Sequence, residues 1–159
     1  MLTANQIDDV WEGTISSEVR SLYFGDLANI YSTRKQWISG ISFFLASGAF
    51  ATMLGKLPVW IPITCSLIVA LANAYSVAVG LDSKIRTMAK LHYAWQQIGN
   101  DYNRLWNHTY DDDAEAQFED LQRRQLEISE LATTDAPNNT KKLSHWQDVV
   151  FKLHRLESA

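Results

Sequence analysis

The sequence predicts an all-α membrane protein: a two-helix transmembrane hairpin whose second span continues as a long cytoplasmic helix, with additional cytoplasmic amphipathic helices. The first observation behind this fold class is charge, because 20 uncharged residues separate Lys35 from Lys56 and 25 separate Lys56 from Asp82. The second is that apolar residues elsewhere recur at helical spacing, with no alternating strand pattern. A helix needs about 20 apolar residues to cross a hydrocarbon core of ~30 Å, so both uncharged stretches are long enough.

The two predicted spans are residues 37–55 and 59–81, which divides the chain into regions 1–36, 37–81 and 82–159. The alternative is a buried hairpin in a soluble helical bundle. A soluble core helix normally keeps a polar face, however, and 25 uncharged residues do not provide one. The first apolar run also begins too late for a signal peptide.

Region 1–36 is predicted to hold a cytoplasmic amphipathic helix. Thr14 is a suitable N-cap, and the helix is expected to run to residue 36. Its apolar face has helical spacing and consists of Ile15, Val19, Leu22, Tyr23, Leu27, Ile30 and Tyr31.

The orientation of the hairpin follows from the positive charges that flank it. Arg34 and Lys35 precede the first span, and Lys84, Arg86 and Lys90 follow the second, whereas the connecting loop holds one lysine. The positive-inside rule therefore predicts that both termini are cytoplasmic.

The second span has no stop signal at its end, so one uninterrupted helix is expected to continue for some 25 residues beyond it. A heptad pattern of apolar residues runs along this extension, as in coiled coils. An apolar stripe of this length cannot face water along a lone helix, so it is predicted to pair copies of the chain. The predicted oligomerisation stripe is Ile85, Met88, His92, Trp95 and Tyr102, with an interhelical hydrogen bond expected for His92.

Two punctuated segments follow the long helix. The motif "YDDDAEAQ" at 110–117 ends it and places acidic residues in the first turn of a new helix, where they favour the helix dipole. The motif "TTDAPNNT" at 133–140 is a turn signal, and Thr140 is predicted to cap a last helix over residues 140–157.

No constellation in the sequence supports catalysis, and the chain is predicted not to be an enzyme. Cys65 is the single cysteine, and none of the four histidines pairs with another at the spacing of a helical metal site. No cofactor and no metal are expected. The net charge of −4 argues against nucleic acid as a partner.

Small and polar residues in the spans are the candidate functional positions. They share a face of each span and are Ser39, Ser42, Ser66, Ala70, Asn73 and Gly80. Small residues let membrane helices approach closely, so hairpin packing explains them. The functional alternative is that one of these faces lines a pore formed by several copies.

The layout, together with the segment "KLHYAWQQIGNDYNRLW" at 90–106, resembles the SLATT family. These are small bacterial two-transmembrane proteins associated with nucleotide-dependent antiphage systems. The resemblance covers roughly residues 14–131 and rests on layout and on the pattern of His92, Tyr102 and Leu105.

The resemblance implies a homo-oligomeric effector in the bacterial inner membrane that forms a pore or ion channel in antiphage defence or stress signalling. It also implies a nucleotide second messenger or a sensor protein encoded nearby as partner, besides the lipid bilayer and further copies of the chain. The alternative is a non-conducting membrane scaffold or anchor that recruits a soluble cytoplasmic partner.

Overall fold

The structure is a computed structural model that describes residues 1–47, 55, 58, 60–137 and 139–157. Within these residues every regular element is an α-helix, which confirms the all-α prediction. The helices are α1 (Ala4–Ala46), α2 (Trp60–Ala78), α3 (Leu81–Trp106), α4 (Ala114–Asp135) and α5 (Thr140–Glu157).

Helix α1 begins ten residues earlier than predicted because Thr3 and Gln6 form a capping box. The backbone N–H of Thr3 donates to Gln6 Oε1 at 2.8 Å, and the N–H of Gln6 donates back to Thr3 Oγ1 at 3.4 Å. Thr14 was the predicted N-cap, and that prediction is wrong. Its hydroxyl donates to the carbonyl of Val10 at 3.0 Å, one turn earlier in the same helix.

The predicted uninterrupted helix through residue 81 and beyond is also wrong, because Gly80 interrupts it. Gly80 has φ +63°, the left-handed conformation that glycine adopts without steric cost, and its N–H donates to the carbonyl of Val77. Helix α2 therefore ends at Ala78, and α3 begins at Leu81 with the Gly80 carbonyl accepting from Lys84 N–H. Gly80 was predicted only as a small residue on a helix face, and its role as a helix terminator was not predicted.

The turn predicted at 133–140 is present between α4 and α5. Pro137 disfavours helical geometry at the residue before it, and Ala136 is accordingly extended, with φ −102° and ψ 140°. The cap of α5 is Asn139 and not Thr140, because Asn139 Oδ1 accepts from the N–H of Lys142 at 3.2 Å.

The chain forms two compact units. Unit 1 comprises Met1–Leu27 and Arg86–Ala159, and unit 2 comprises Ala28–Ile85. Unit 1 therefore combines the N-terminal part of the predicted region 1–36 with most of the predicted region 82–159.

The core of unit 1 lies between α1, α3 and α4. Its central residues include Val10 of α1, Tyr102 of α3 and Phe118 of α4, each with less than 5% of its surface exposed. The close approach of α1 to α3 requires a residue without a side chain at Gly13, since a Cβ there would lie 2.7 Å from Cζ of Tyr102. The Tyr102 hydroxyl donates to Gln125 Oε1 of α4 at 2.7 Å, which joins the three helices.

Helix α5 packs on α1 through a second apolar cluster. Val150 is fully buried there against Ile15 and Val19. Two polar contacts flank this cluster: Lys142 pairs with Asp26 at 2.6 Å, and His154 contacts Glu18 at 2.9 Å. The C-terminal helix is thus an integral part of unit 1.

The predicted oligomerisation stripe on α3 is covered within a single chain. Met88 and Trp95 are 0% exposed and Tyr102 is 2% exposed, so these side chains have no surface left for a second copy. The stripe needed apolar cover, as predicted, but the cover comes from the same chain and not from another copy. Ile85 belongs to unit 2 and is half-buried.

His92, the polar member of the stripe, makes the predicted interhelical hydrogen bond. Its Nδ1 lies 2.8 Å from the carbonyl oxygen of Ser21 in α1. A carbonyl only accepts, so Nδ1 carries the proton and donates. The Ser21 hydroxyl donates in return to the His92 carbonyl at 3.3 Å.

Candidate membrane-inserting surface

Helix α2 has no charged residue and no buried residue. Among the described residues it is the one helix long and apolar enough to cross a membrane, with 19 residues. Seven of its large apolar side chains each have more than half of their surface exposed. These side chains are Trp60, Ile63, Leu67, Ile68, Leu71, Tyr75 and Val77.

The C-terminal end of α1 has the same character. Trp37, Phe43 and Phe44 are 69%, 79% and 62% exposed. They belong to the predicted first span, 37–55, of which residues 48–54 lie outside the described part of the chain. None of residues 37–45 is buried and none is charged, as in α2.

Three side-chain contacts within unit 2 join α1 to the segment 73–84. Ser42 contacts Asn73 at 3.3 Å, Lys35 pairs with Asp82 at 2.5 Å, and Lys84 Nζ lies 6.0 Å from the centre of the Tyr31 ring. In these three pairs, the residue number on the second segment rises as the residue number on α1 falls. The two segments therefore run antiparallel, with charged residues at one end and apolar residues beyond.

Asn73 satisfies both of its amide protons inside the chain. Its Nδ2 donates to Ser42 Oγ at 3.3 Å and to the carbonyl of Val69, one turn earlier, at 3.0 Å. Among the residues that the structure describes, nothing donates to its Oδ1, and the residue is exposed. The amide thus holds two helices of one chain together and presents an acceptor outward.

The remaining predicted face residues are not drawn into this contact. Ser39, Ser66 and Ala70 are exposed on the surface of unit 2, and Gly80 lies in the break between α2 and α3. The structure thus pairs Ser42 with Asn73 and leaves the other small residues open.

The Lys35–Asp82 pair was missed from the sequence, although a signal for it was present. Each charge directly flanks one of the two uncharged stretches, so an antiparallel arrangement brings them to the same level. The pair is exposed and contributes at most about 1 kcal/mol, so it aligns the two segments more than it stabilises them.

In the described part of the chain, no three His, Cys, Asp or Glu side chains are grouped closely enough to hold a metal ion. Comparisons with protein families, with curated proteins and with solved structures give no significant match.

Proposed function

We propose that the chain is a homo-oligomeric membrane effector that forms a pore or ion channel in the bacterial inner membrane. The observation that carries the proposal is that α2 buries no residue in a single chain, whereas unit 1 has a complete core of its own. A role in antiphage defence or stress signalling is the one that the resemblance to the SLATT family implies.

The free energy of the exposed apolar surface supports insertion into lipid. Fully burying a large apolar side chain gains about 1.5 to 3 kcal/mol, so seven such side chains on α2 represent on the order of 10 kcal/mol. This is as large as the stability of a whole domain, about 5 to 15 kcal/mol. A hydrocarbon environment provides that gain along the full helix.

The antiparallel contacts between α1 and the segment 73–84 support a two-span hairpin. The positive charges at one end of both segments, on Lys35 and Lys84, support cytoplasmic termini. Trp37 and Trp60 stand at opposite ends of the hairpin, at levels where amphipathic aromatic side chains meet the membrane interface.

The polar positions of the hairpin support an oligomer. A polar atom facing lipid without a partner is costly, and Asn73 Oδ1 together with the exposed Ser39 and Ser66 would face it in a monomer. One hairpin cannot enclose water. Several hairpins can place these atoms against one another or around an aqueous path. In such an oligomer, the contacts between copies lie in the membrane segments.

The second candidate is a non-conducting scaffold that anchors a soluble partner. The observation in its favour is that unit 1 is a compact helical unit with its own core. A scaffold needs such a unit for docking and needs only packing from the hairpin.

Reconstitution of the purified full chain into planar bilayers and vesicles separates the two candidates. Crosslinking within the bilayer reports the oligomer, and single-channel current reports conduction. An oligomer that conducts supports the proposal, whereas an oligomer that never conducts under any applied voltage or ionic condition leaves the scaffold.

Two variants that break the same contact then test whether Asn73 faces water. Ser42→Ala removes the hydrogen bond but leaves the Asn73 amide in place, whereas Asn73→Leu removes both the hydrogen bond and the amide. A larger change in conductance for Asn73→Leu than for Ser42→Ala indicates that Oδ1 lines the pore. Equal changes assign the amide to packing alone, and Val77→Leu, an apolar exchange at an exposed position, serves as the control.

A further inference from the structure

A cleft of about 320 Å³ opens in unit 1 between α1, α3, α4 and the turn that precedes α5. Its polar lining is provided by Arg20, Ser129 and Thr133. Most of the remaining wall is aromatic or aliphatic and includes Tyr23, Phe24, Trp95 and Pro137. A volume near 300 Å³ is at the lower end of the range for small-molecule sites in proteins.

Arg20 is the one charged side chain among the described residues that line this cleft. Its guanidinium carbon lies 4.5 Å from the centre of the Trp95 ring, and its Nη1 donates to Ser129 Oγ at 3.0 Å. A guanidinium has five N–H donors, so most of its donor capacity is unused. Within the described part of the chain, no carboxylate lies within 4.0 Å of it.

The lack of a carboxylate partner distinguishes Arg20 from the other partly buried lysine and arginine side chains among the described residues. Acidic residues outnumber basic ones by 18 to 14, and the partly buried Arg124 and Lys142 each pair with an aspartate. Arg20 is partly buried, so water solvates this cation incompletely, and this burial lowers its pKa below the ordinary value. A half-buried cation without a counter-ion is costly, and a bound anion recovers that cost.

Two neighbouring groups add donors that have no partner in the described residues. Ser129 accepts from Arg20, and its own hydroxyl proton is not used in any hydrogen bond there. Trp95 is 0% exposed, and its indole Nε1–H is buried without an acceptor. Thr133 differs, because its hydroxyl already donates to the carbonyl of Ser129 at 2.8 Å.

We propose that this cleft binds a small organic anion, with a carboxylate or phosphate group on Arg20 and Ser129 and an aromatic body against Tyr23 and Phe24. Guanidinium groups bind both of these oxyanions in a two-pronged geometry. The Tyr23 side chain is held in position by two hydrogen bonds: its hydroxyl donates to the carbonyl of Pro137 and accepts from the N–H of Asn139. The inference is independent of pore formation, since the cleft lies wholly within unit 1.

The test uses phenyl phosphate and benzoate as probes, titrated by ligand-observed NMR against the full chain in lipid nanodiscs. We expect saturable binding of at least one probe and weaker binding of inorganic phosphate, which lacks the aromatic body. Arg20→Gln should weaken probe binding at least about tenfold, because a hydrogen bond to a charged group is lost. Arg20→Lys should restore part of the affinity through charge alone.

The matched control is Arg123→Gln, which removes an exposed arginine on α4 away from the cleft and should leave the affinity unchanged. Ala132→Phe fills the cleft but retains Arg20, and it should also abolish binding. If circular dichroism shows that Arg20→Gln does not fold, Ala132→Phe still tests whether the probes bind in this cleft. Absence of saturable binding of both probes at millimolar concentration, or equal binding by wild type and Ala132→Phe, would overturn the proposal.

Discussion

Replacing Gly13 by alanine should destabilise unit 1, although alanine is the better helix former. The added Cβ would lie 2.7 Å from Cζ and 2.9 Å from both Cε atoms of Tyr102. Carbon atoms in contact prefer about 3.5 to 4.0 Å, so the ring would have to move by close to 1 Å. Tyr102 is 2% exposed and its hydroxyl is bound to Gln125, which leaves it little room.

The magnitude follows from two opposing terms. Inserting a methyl group into a well-packed core costs about 1 to 3 kcal/mol, and three simultaneous short contacts place Gly13 in the upper half of that range. Helix propensity returns about 1 kcal/mol on replacing glycine by alanine. The free energy of unfolding should therefore fall by about 1 to 2 kcal/mol.

Thermal and urea unfolding of the full chain in detergent, followed by circular dichroism, measures this change. Gly99→Ala is the control in the same unit, because its added Cβ meets only Ser17 Cβ at 3.4 Å, an ordinary contact, and the variant should gain stability. In a Tyr102→Leu background, Gly13→Ala should lose its penalty. If Gly13→Ala stabilises the wild-type protein as much as Gly99→Ala does, the steric reasoning is refuted.

Two further predictions concern the helix break and alkaline stability. Gly80→Ala should lower the free energy of unfolding by about 1 to 2 kcal/mol, because φ +63° is strained for a residue with a side chain. Gly80→Asn should lower it less, because asparagine tolerates this conformation better. Equal Tm values for wild type and Gly80→Ala would contradict this prediction. Burial and, secondarily, Asp9 raise the pKa of Tyr102 above 10.0, so its contribution is fully present below pH 10 and is lost as the pH rises through the folded-state pKa. Tyr102→Phe should therefore reduce the loss of stability above pH 10, measured by urea unfolding as a function of pH, and a loss identical to that of wild type would show that Tyr102 is not responsible.

Some features of the fold could be predicted because they depend on local composition. Helix α2 is visible as an uncharged stretch, and the α4–α5 turn is visible because Pro137 imposes an extended residue before it. Helix boundaries were harder to predict, because several residues near each helix start are suitable as the N-cap. Thr14 and Thr140 are suitable caps by type, but Thr3 with Gln6, and Asn139, make the hydrogen bonds.

The candidate sites divide in the same way. Asn73 is conspicuous in the sequence as an amide within an apolar run, and the structure supplies its partner, Ser42, from a helix 31 positions away. Arg20 carries no sequence signal, because a lysine or arginine on an amphipathic helix is normally solvated. Its lack of a carboxylate partner results from the packing of α3 and α4 around it.

The sequence by itself determined that the chain is helical, that one stretch of it is apolar enough to cross a membrane, and that α3 carries an apolar stripe. Only the tertiary structure decided that Met88, Trp95 and Tyr102 are covered by the same chain and that Gly80 separates α2 from α3. The physical reason is that the hydrophobic effect is non-directional: it requires an apolar face to be buried but does not specify the partner. The partner is decided by shape, as where the Tyr102 ring fits against Gly13, and shape exists only in the folded chain.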